Sequence, residues 1–271
     1  MARSWARQLY VKNARIYQPI LENGLKKAPL EVQGLVRQFR RFRVPHGGKV
    51  LDVSCGIGRH SIYLARRGYT VVGYDPSAPF LARARQLAKR MRLPKDRIRF
   101  YCGEPTEMVK VLEDNGESGF DAMISMDYSF GYSTRQDDIR LFRSLHKLAC
   151  PKCFLIVETG NRDFWIKHFQ RFWYESFPSR LERLEIFSFD RTKTVLRADC
   201  RHYRRLGDKS LRHLLSIRYA ARIYSEESLG QLARSAGWQP VKTFENIEHP
   251  REVTDDVPLF FMIAKRSTEL N

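Results

Sequence analysis

The sequence predicts an α/β fold: a mostly parallel sheet whose last strand is antiparallel, with helices on both faces, an N-terminal helical cap and an inserted antiparallel β element. Three observations carry this. Short apolar runs alternate with helical patterns between residues 49 and 158. The stretch LDVSCGIGRHSIYLA (51–65) reads as strand, glycine turn and helix. β-like runs joined by turn signals then break the alternation after residue 180.

The elements follow in order. Residues 3–43 form one or two helices with Trp5, Leu9, Tyr10, Ile16, Tyr17, Leu35, Val36 and Phe39 as apolar positions, so residues 1–44 make the cap and 45–271 the main domain. Lys49 to Val53 is the first strand, and Ile62, Leu64 and Ala65 open the helical pattern after its turn. Thr70 to Tyr74 is the second strand and ends in Asp75. Ala78 to Arg92 is a helix with five basic residues on its solvated side, and Ile98 to Tyr101 is a third strand followed by Cys102, Gly103 and Glu104. Ala122 to Met126 and Phe154 to Glu158 supply strands four and five, separated by helices of about 12 residues. Ligands of such sheets sit at the carboxyl ends of the strands, near the point where strand order reverses. The runs LEIFSF, TVLRADCRHY and LRHLLSIRY, with turn signals at Asp190 to Lys193 and Gly207 to Lys209, form an insertion of two or three strands at about 181–220. Ser225 caps a helix, with Ser228 where a capping box would have Glu, and Gly237 stops it. Val241 to Ile247 and Leu259 to Lys265 are the last strands.

The first turn narrows the ligand. Gly56 and Gly58 suit a turn of unusual dihedrals that lets a ligand approach the backbone, beside the free N–H groups of a helix N-terminus. Asp75, at the end of the second strand, suits hydrogen bonding to both hydroxyls of a ribose, so the ligand contains a nucleoside. A dinucleotide fingerprint would carry a third glycine where this chain has Ser61. The pattern from Asp52 to Asp75 instead resembles motifs I and II of the class I, Rossmann-like, S-adenosylmethionine-dependent methyltransferases, in particular the subgroup with LDxxCGxGRHSxxLA. The resemblance covers about 45–160 by motif and 220–266 by pattern.

The resemblance implies S-adenosylmethionine as cofactor, contacted by Asp52, Ser54, Cys55, Gly56, Gly58, Asp75, Pro76, Glu104 and Met126, with Glu104 at the adenine amino group and the N-terminal helices as a cap. It places Arg59 and His60 at the start of the first helix, where His60 packs or caps. It also implies that Met126 to Tyr132 faces the transferred methyl. Asp127 is then the residue that orients the acceptor, and Tyr128, Phe130 and Tyr132 are stacking partners. Amino-group methyltransferases of bases have Asn or Asp followed by Pro-Pro and an aromatic residue; this chain has the acid and the aromatics but no prolines. The alternative is that the segment only shapes the cofactor pocket.

Charge speaks to the acceptor. Lys and Arg number 48 against 30 Asp and Glu, a net charge of +18. Arg37, Arg40, Arg41 and Arg43, the helix 83–92, and Arg197, Arg201, Arg204, Arg205, Arg212 and Arg218 hold much of the excess. Arginine is interleaved with aromatics from Arg162 to Tyr174, a candidate lid. The aromatics at 164, 165, 169, 172 and 173 also have the spacing of a helix packed on a core. Guanidinium groups pair with phosphates, and rings stack on unpaired bases. Structured RNA, ribosomal or transfer, is therefore the expected partner, bound by Arg40, Arg41, Arg43, Arg201, Arg204 and Arg205. Base nitrogen methylation is preferred over ribose methylation because no Lys-Asp-Lys-Glu set is present. A small-molecule N- or O-methyltransferase, a protein methyltransferase and an inactive cofactor- and RNA-binding protein are the alternatives.

The rest of the composition bounds the setting. No apolar run approaches the roughly 20 residues of a membrane span. The arginine-bearing start lacks the serine richness and cleavage-like site of a transit peptide. Cysteines at 55, 102, 150, 153 and 200 form no disulfide framework, and Cys150-Pro-Lys-Cys153 lacks a second ligand pair for zinc. Cys153 stands where the resembling family has a glycine of a Pro-Gly-Gly turn. A cytoplasmic, metal-free monomer or small homo-oligomer is expected.

Overall fold

The structure, a computed structural model of the chain, describes residues 5–207 and 210–267. Residues 1–4 of the expected cap, Asp208 and Lys209 of the expected Gly-Asp-Lys turn, and residues 268–271 lie outside these.

A seven-stranded sheet forms the centre. Its strands are β1 (Lys49–Val53), β2 (Thr70–Asp75), β3 (Ile98–Cys102), β4 (Phe120–Ser125), β5 (Ala149–Gly160), β10 (Trp238–Phe244) and β11 (Leu259–Arg266), in the order β10-β11-β5-β4-β1-β2-β3. Val50 pairs with Val71 and Ala122 in parallel register, while β11 is antiparallel to both β5 and β10. Both faces of β1 are covered: Val50 joins one apolar core with Phe39, Leu64 and Phe80, and Leu51 and Val53 join the other with Phe142 and Phe260. A strand buried on both sides reads as a continuous apolar run, which is why the alternation was legible. The order reverses at β1, between β4 and β2.

The helices are α1 (Ala14–Asn23), α2 (Ala28–Arg41), α3 (Arg59–Arg66), α4 (Ala78–Arg90), α5 (Met108–Asp114), α6 (Arg135–Leu148), α7 (Arg162–Lys167) and α8 (Glu226–Arg234). A π-helical turn, Arg7–Lys12, precedes them. The α8 cap forms as its sequence predicts: Ser228 N–H donates to Ser225 Oγ at 3.2 Å, and Ser225 N–H to Ser228 Oγ at 2.9 Å, so a serine serves where Glu is usual.

Two expectations are corrected. The Cys150-Pro-Lys-Cys153 segment is part of β5 rather than a turn before it, and Cys153 is buried. The insertion has four strands, β6 (Phe172–Phe177), β7 (Leu181–Asp190), β8 (Val195–Arg205) and β9 (Leu211–Arg222), in that order in one antiparallel sheet. The aromatic stripe of 164–173 is therefore not one helix: α7 ends at Lys167, and Phe172 and Trp173 lie on β6. Helical spacing over so short a run does not exclude a strand when aromatic residues, good strand formers, dominate it.

The cap and the second sheet meet. Trp5 and Leu9 bury their side chains against Ile217 of β9, with Tyr132 and Tyr219 packed around them. This cluster ties the N-terminal segment to the inserted sheet above the carboxyl edge of the central one.

Candidate active site

The site begins at the turn after β1. Ser54, Gly56 and Gly58 all have left-handed backbones, with φ of 56°, 55° and 73°. A Cβ on Gly58 would lie 2.9 Å from the Phe100 ring and 3.0 Å from Ala84, so this glycine serves close packing. A Cβ on Gly56 would meet only Leu21 Cδ1, at 3.4 Å, and would project into a cavity of about 210 Å³. The bare Gly56 backbone is thus a place where a ligand can come close.

Asp52 stands behind the turn. Its Oδ2 accepts from Ser61 N–H at 3.1 Å and from the Ser61 hydroxyl, which fixes α3 to β1. Ser61, where the dinucleotide fingerprint has glycine, has a buried structural use.

Asp75 faces the cavity from the end of β2. Its Oδ2 accepts from Gly56 N–H and its Oδ1 from Ser77 N–H, both at 2.8 Å. Burial pushes its carboxyl up to about 6, against those two hydrogen bonds. Pro76, Cys55 and Glu104 also line the cavity. The Glu104 carboxylate is paired with Arg7 of the N-terminal turn at 2.8 Å, which the sequence did not suggest.

The turn after β4 forms the far end. Asp127 and Tyr128 are consecutive non-glycine residues with φ of 58° and 59°. Such backbones cost of order 1–3 kcal/mol each and persist where surrounding structure imposes them. Here Asp127 N–H donates to Glu158 Oε2 at 2.8 Å, and a Cβ on Gly160 would lie 2.9 Å from Tyr128 Cε1, so the ring rests on bare backbone. Asp127 Oδ2 accepts from Arg59 Nη2 at 2.8 Å. Arg59 also pairs with Glu31 at 3.2 Å, and His60 Nε2 lies 2.9 Å from the same carboxylate. His60 is thus buried in an α2–α3 contact, in keeping with the packing role.

The aromatic candidates separate. Tyr132 lies under the cap, its ring 5.0 Å from Trp5 and 6.1 Å from Tyr10. Tyr128 is 37% exposed beside Asp127. Phe130 is turned away: it is 2% exposed and packs 4.5 Å from Phe142 in the core, so it cannot stack on an acceptor. Three roof residues were read from the sequence only as apolar cap positions: Trp5, Tyr10 and Tyr17. Tyr10 and Tyr17, 4.9 Å apart, line the cavity. Glu185 and Tyr219 of the second sheet join them from above, with Tyr219 hydroxyl donating to Glu185 Oε1 at 2.7 Å. Nothing in the sequence marks these two beyond their place on alternating strands.

The arginines fall in two places. Arg40 and Arg41 end α2 and Arg43 follows it ahead of β1, so they lie at the amino edge of the sheet, opposite the cavity; Arg40 acts on Tyr69, just ahead of β2. Arg201 is paired with Asp199 at 2.8 Å and Arg205 with Glu182 at 3.0 Å on the second sheet, beside exposed Arg204. The two groups do not converge. Among the described residues, no group of three or more His, Cys, Asp or Glu is placed to hold a metal, and no helix is long and apolar enough to cross a membrane.

A sheet order reversing at β1, a glycine turn open to a cavity, and an acid at the end of β2 are the arrangement of a Rossmann-like fold that binds a nucleoside cofactor. Residues 50–152 match the family model described as a methyltransferase domain. The fold agrees with that of an S-adenosylmethionine-dependent methyltransferase from Clostridium acetobutylicum, with TM-score 0.74 at 13% identity over 94% of this chain and 98% of that one. Residues 50–152 thus carry a methyltransferase domain, and the chain has the fold of S-adenosylmethionine-dependent methyltransferases. Among curated relatives, a putative ribosomal RNA large subunit methyltransferase of Methanocaldococcus jannaschii is 34% identical over 147 residues, 49% of this chain and 37% of that protein. Human glycine N-methyltransferase is 32% identical over 163 residues, 59% of this chain and 49% of that protein. The chain thus spans less than half the length of either relative.

Proposed function

We propose that this protein transfers a methyl group from S-adenosylmethionine to a nitrogen of a small amine held beneath the second sheet. The observation that carries the reading is the aromatic wall beside Asp127: this residue, its side chain 56% exposed, lines one cavity with Tyr10, Tyr17 and Tyr132, and Trp5 packs that wall against Ile217 of β9. Such a chamber suits a compact acceptor. The naming of one relative as a glycine N-methyltransferase supports nitrogen as the acceptor atom.

The cofactor fits the residues present. Gly56 leaves room at the backbone, Asp75 offers carboxylate lone pairs for ribose hydroxyls, and Glu104 stands at the mouth for the adenine amino group, where it exchanges its bond with Arg7. Cys55, Ser54, Pro76 and Met126 shape the walls, with Asp52 holding the turn. When bound, the cofactor supplies a methyl already activated on a sulfonium, so the protein has chiefly to orient a nucleophile and exclude water. Asp127 does the orienting: Arg59 holds Oδ2, leaving Oδ1 to accept an N–H of the acceptor and to take its proton as the lone pair is used. Burial keeps the hydroxyls of Tyr10, Tyr17 and Tyr132 protonated, so they remain donors and uncharged ring faces around a cationic centre.

An RNA base is the second reading, favoured by the net charge of +18 and by the ribosomal RNA methyltransferase named among the relatives. A base would have to leave its stack and pass under the cap. Cytoplasmic residence fits either acceptor. The test is incubation of the purified protein with radiolabelled S-adenosylmethionine and separate small-molecule, RNA and protein fractions of a cell extract. Label in an amine of the small-molecule fraction is expected; label confined to one RNA nucleoside would replace this reading with the second.

A further inference from the structure

β6 is the edge of the second sheet, paired only with β7, and it carries Phe172, Trp173 and Tyr174 at 59%, 47% and 60% exposure. Three consecutive exposed aromatics place apolar surface on both faces of one open strand. Native edges are usually guarded by charge, proline or a bulge, and none interrupts these three residues.

The backbone shows which groups are open. Phe187 N–H donates to Arg171 O at 2.7 Å, and the register pairs Phe172 with Ile186. In an antiparallel ladder the hydrogen-bonded positions alternate, so residues 171, 173 and 175 bond inward to β7. Residues 172, 174 and 176 then point their N–H and C=O groups outward, away from the sheet.

We propose that β6 pairs with β6 of a second copy of this chain, antiparallel and about a two-fold axis at Trp173, joining the two four-stranded sheets into one of eight strands. In this register Phe172 lies opposite Tyr174 of the other copy, both with outward-facing backbone groups, so the bonds they need are made. Trp173 meets its own equivalent at a non-hydrogen-bonded position, where opposite side chains approach most closely. Arg171 falls opposite Glu175, on the same face of the strand, where the Glu175 carboxylate already pairs with Arg183 through Oε2 at 2.7 Å and has lone pairs left for a second guanidinium. The strip is therefore complementary to itself in charge as well as in hydrogen bonding, as an isologous contact requires.

The test is the mass of the full chain in solution by light scattering and sedimentation, at concentrations from about 1 to 100 μM, the range in which modest interfaces form. A mass twice that of the chain is expected. Tyr174→Pro removes an outward N–H and spares the backbone bonds of the β6–β7 ladder, and Tyr174→Phe, which loses only the hydroxyl bond to Glu182 Oε2, is its control; the proline variant alone should raise the dimer dissociation constant by at least about tenfold while the far-ultraviolet spectrum is kept. Arg171→Glu, which leaves the Glu175–Arg183 pair within the sheet in place, should weaken the dimer. A wild-type chain that stays monomeric, or a dimer indifferent to Tyr174→Pro, overturns the proposal. So does a monomer whose Trp173 fluorescence is quenched by single-stranded RNA, which would make the strip a base-stacking surface.

Discussion

The backbone N–H of Asp127 donates to Glu158 Oε2 at 2.8 Å, so a carboxyl at the end of β5 holds the strained turn at the end of β4. Burial, with the Asp127 charge adding to it, pushes the Glu158 carboxyl well above the ordinary carboxylate range, which favours the uncharged acid whose carbonyl accepts this bond. Glu158→Gln keeps an acceptor at that place and should leave kcat within about threefold. Glu158→Leu strands a buried N–H, which costs about 1–3 kcal/mol, and lets the turn relax. Its kcat should fall more than its thermal stability alone explains. Steady-state kinetics beside thermal melts of both variants check this.

The same carboxyl sets a pH dependence of stability. A folded pKa raised above the ordinary carboxylate value means that folding takes up a proton between the two. The stabilising contribution is fully present below about pH 4 and is lost as pH rises through the folded value. Asp75 and Asp138, both pushed up to about 6 by burial, lose theirs first, and Glu158, pushed up further, loses its own at higher pH. Buried His202, held down to about 4, gains stability as pH rises to its unfolded value and opposes the decline below about pH 6.5, so urea denaturation between pH 5 and 9 should show stability declining chiefly in the upper part of this window. Glu158→Gln should flatten the upper part of the decline and leave the lower part in place.

Asp75 tests the cofactor side. Its carboxylate organises Gly56 through one oxygen, so Asp75→Ala removes both ribose acceptors and loosens the turn. Charge-assisted hydrogen bonds contribute about 1.5–3 kcal/mol, so cofactor affinity by calorimetry should weaken by roughly tenfold to a hundredfold or more. Asp75→Asn should fall between. An unchanged affinity in Asp75→Ala would remove the ribose assignment.

The central fold was legible because parallel strands buried on two faces declare themselves as apolar runs, and because the turn from Asp52 to Asp75 needs particular residues at fixed spacing. The acceptor end was legible only in part. Asp127 could be found as the acid after β4, but Phe130 and Tyr132 are two residues apart in one irregular loop, and no periodicity tells that one enters the core against Phe142 while the other faces the cap. Glu158 follows the apolar run Leu155-Ile156-Val157 and looks like an ordinary strand end until its burial is seen. The ties between Trp5 and Ile217, and between Tyr219 and Glu185, join residues far apart in sequence, and local pattern carries no information about them.

The contrast between the two loop aromatics is testable. Phe130→Ala empties a filled core position and should destabilise the chain by about 3–5 kcal/mol, with KM for the acceptor little changed in the folded fraction. Tyr132→Phe removes one hydroxyl from the roof, 3.4 Å from that of Tyr10, and should leave stability near wild type while raising acceptor KM severalfold. Denaturation curves with kinetics at saturating cofactor separate the two.

The basic residues at the opposite edge give the last test of acceptor class. β1 has five residues and rises about 3.3 Å for each, so roughly 17 Å of strand separates Arg40, Arg41 and Arg43 from the turn at Gly56. A small amine bound beneath the cap never reaches them. The triple variant Arg40→Gln, Arg41→Gln, Arg43→Gln should keep kcat/KM for that acceptor at every salt concentration, since these charges neither touch it nor steer it through a screened 17 Å. An RNA acceptor long enough to span both edges gives another result: kcat/KM for RNA falls steeply with salt, and neutralising three phosphate contacts reduces the slope of its logarithm by nearly one for each. Measured between about 50 and 200 mM salt, a range that separates the two regimes, a slope lowered by the triple variant would return RNA to first place. A slope that the variant leaves unchanged leaves these arginines outside the reaction.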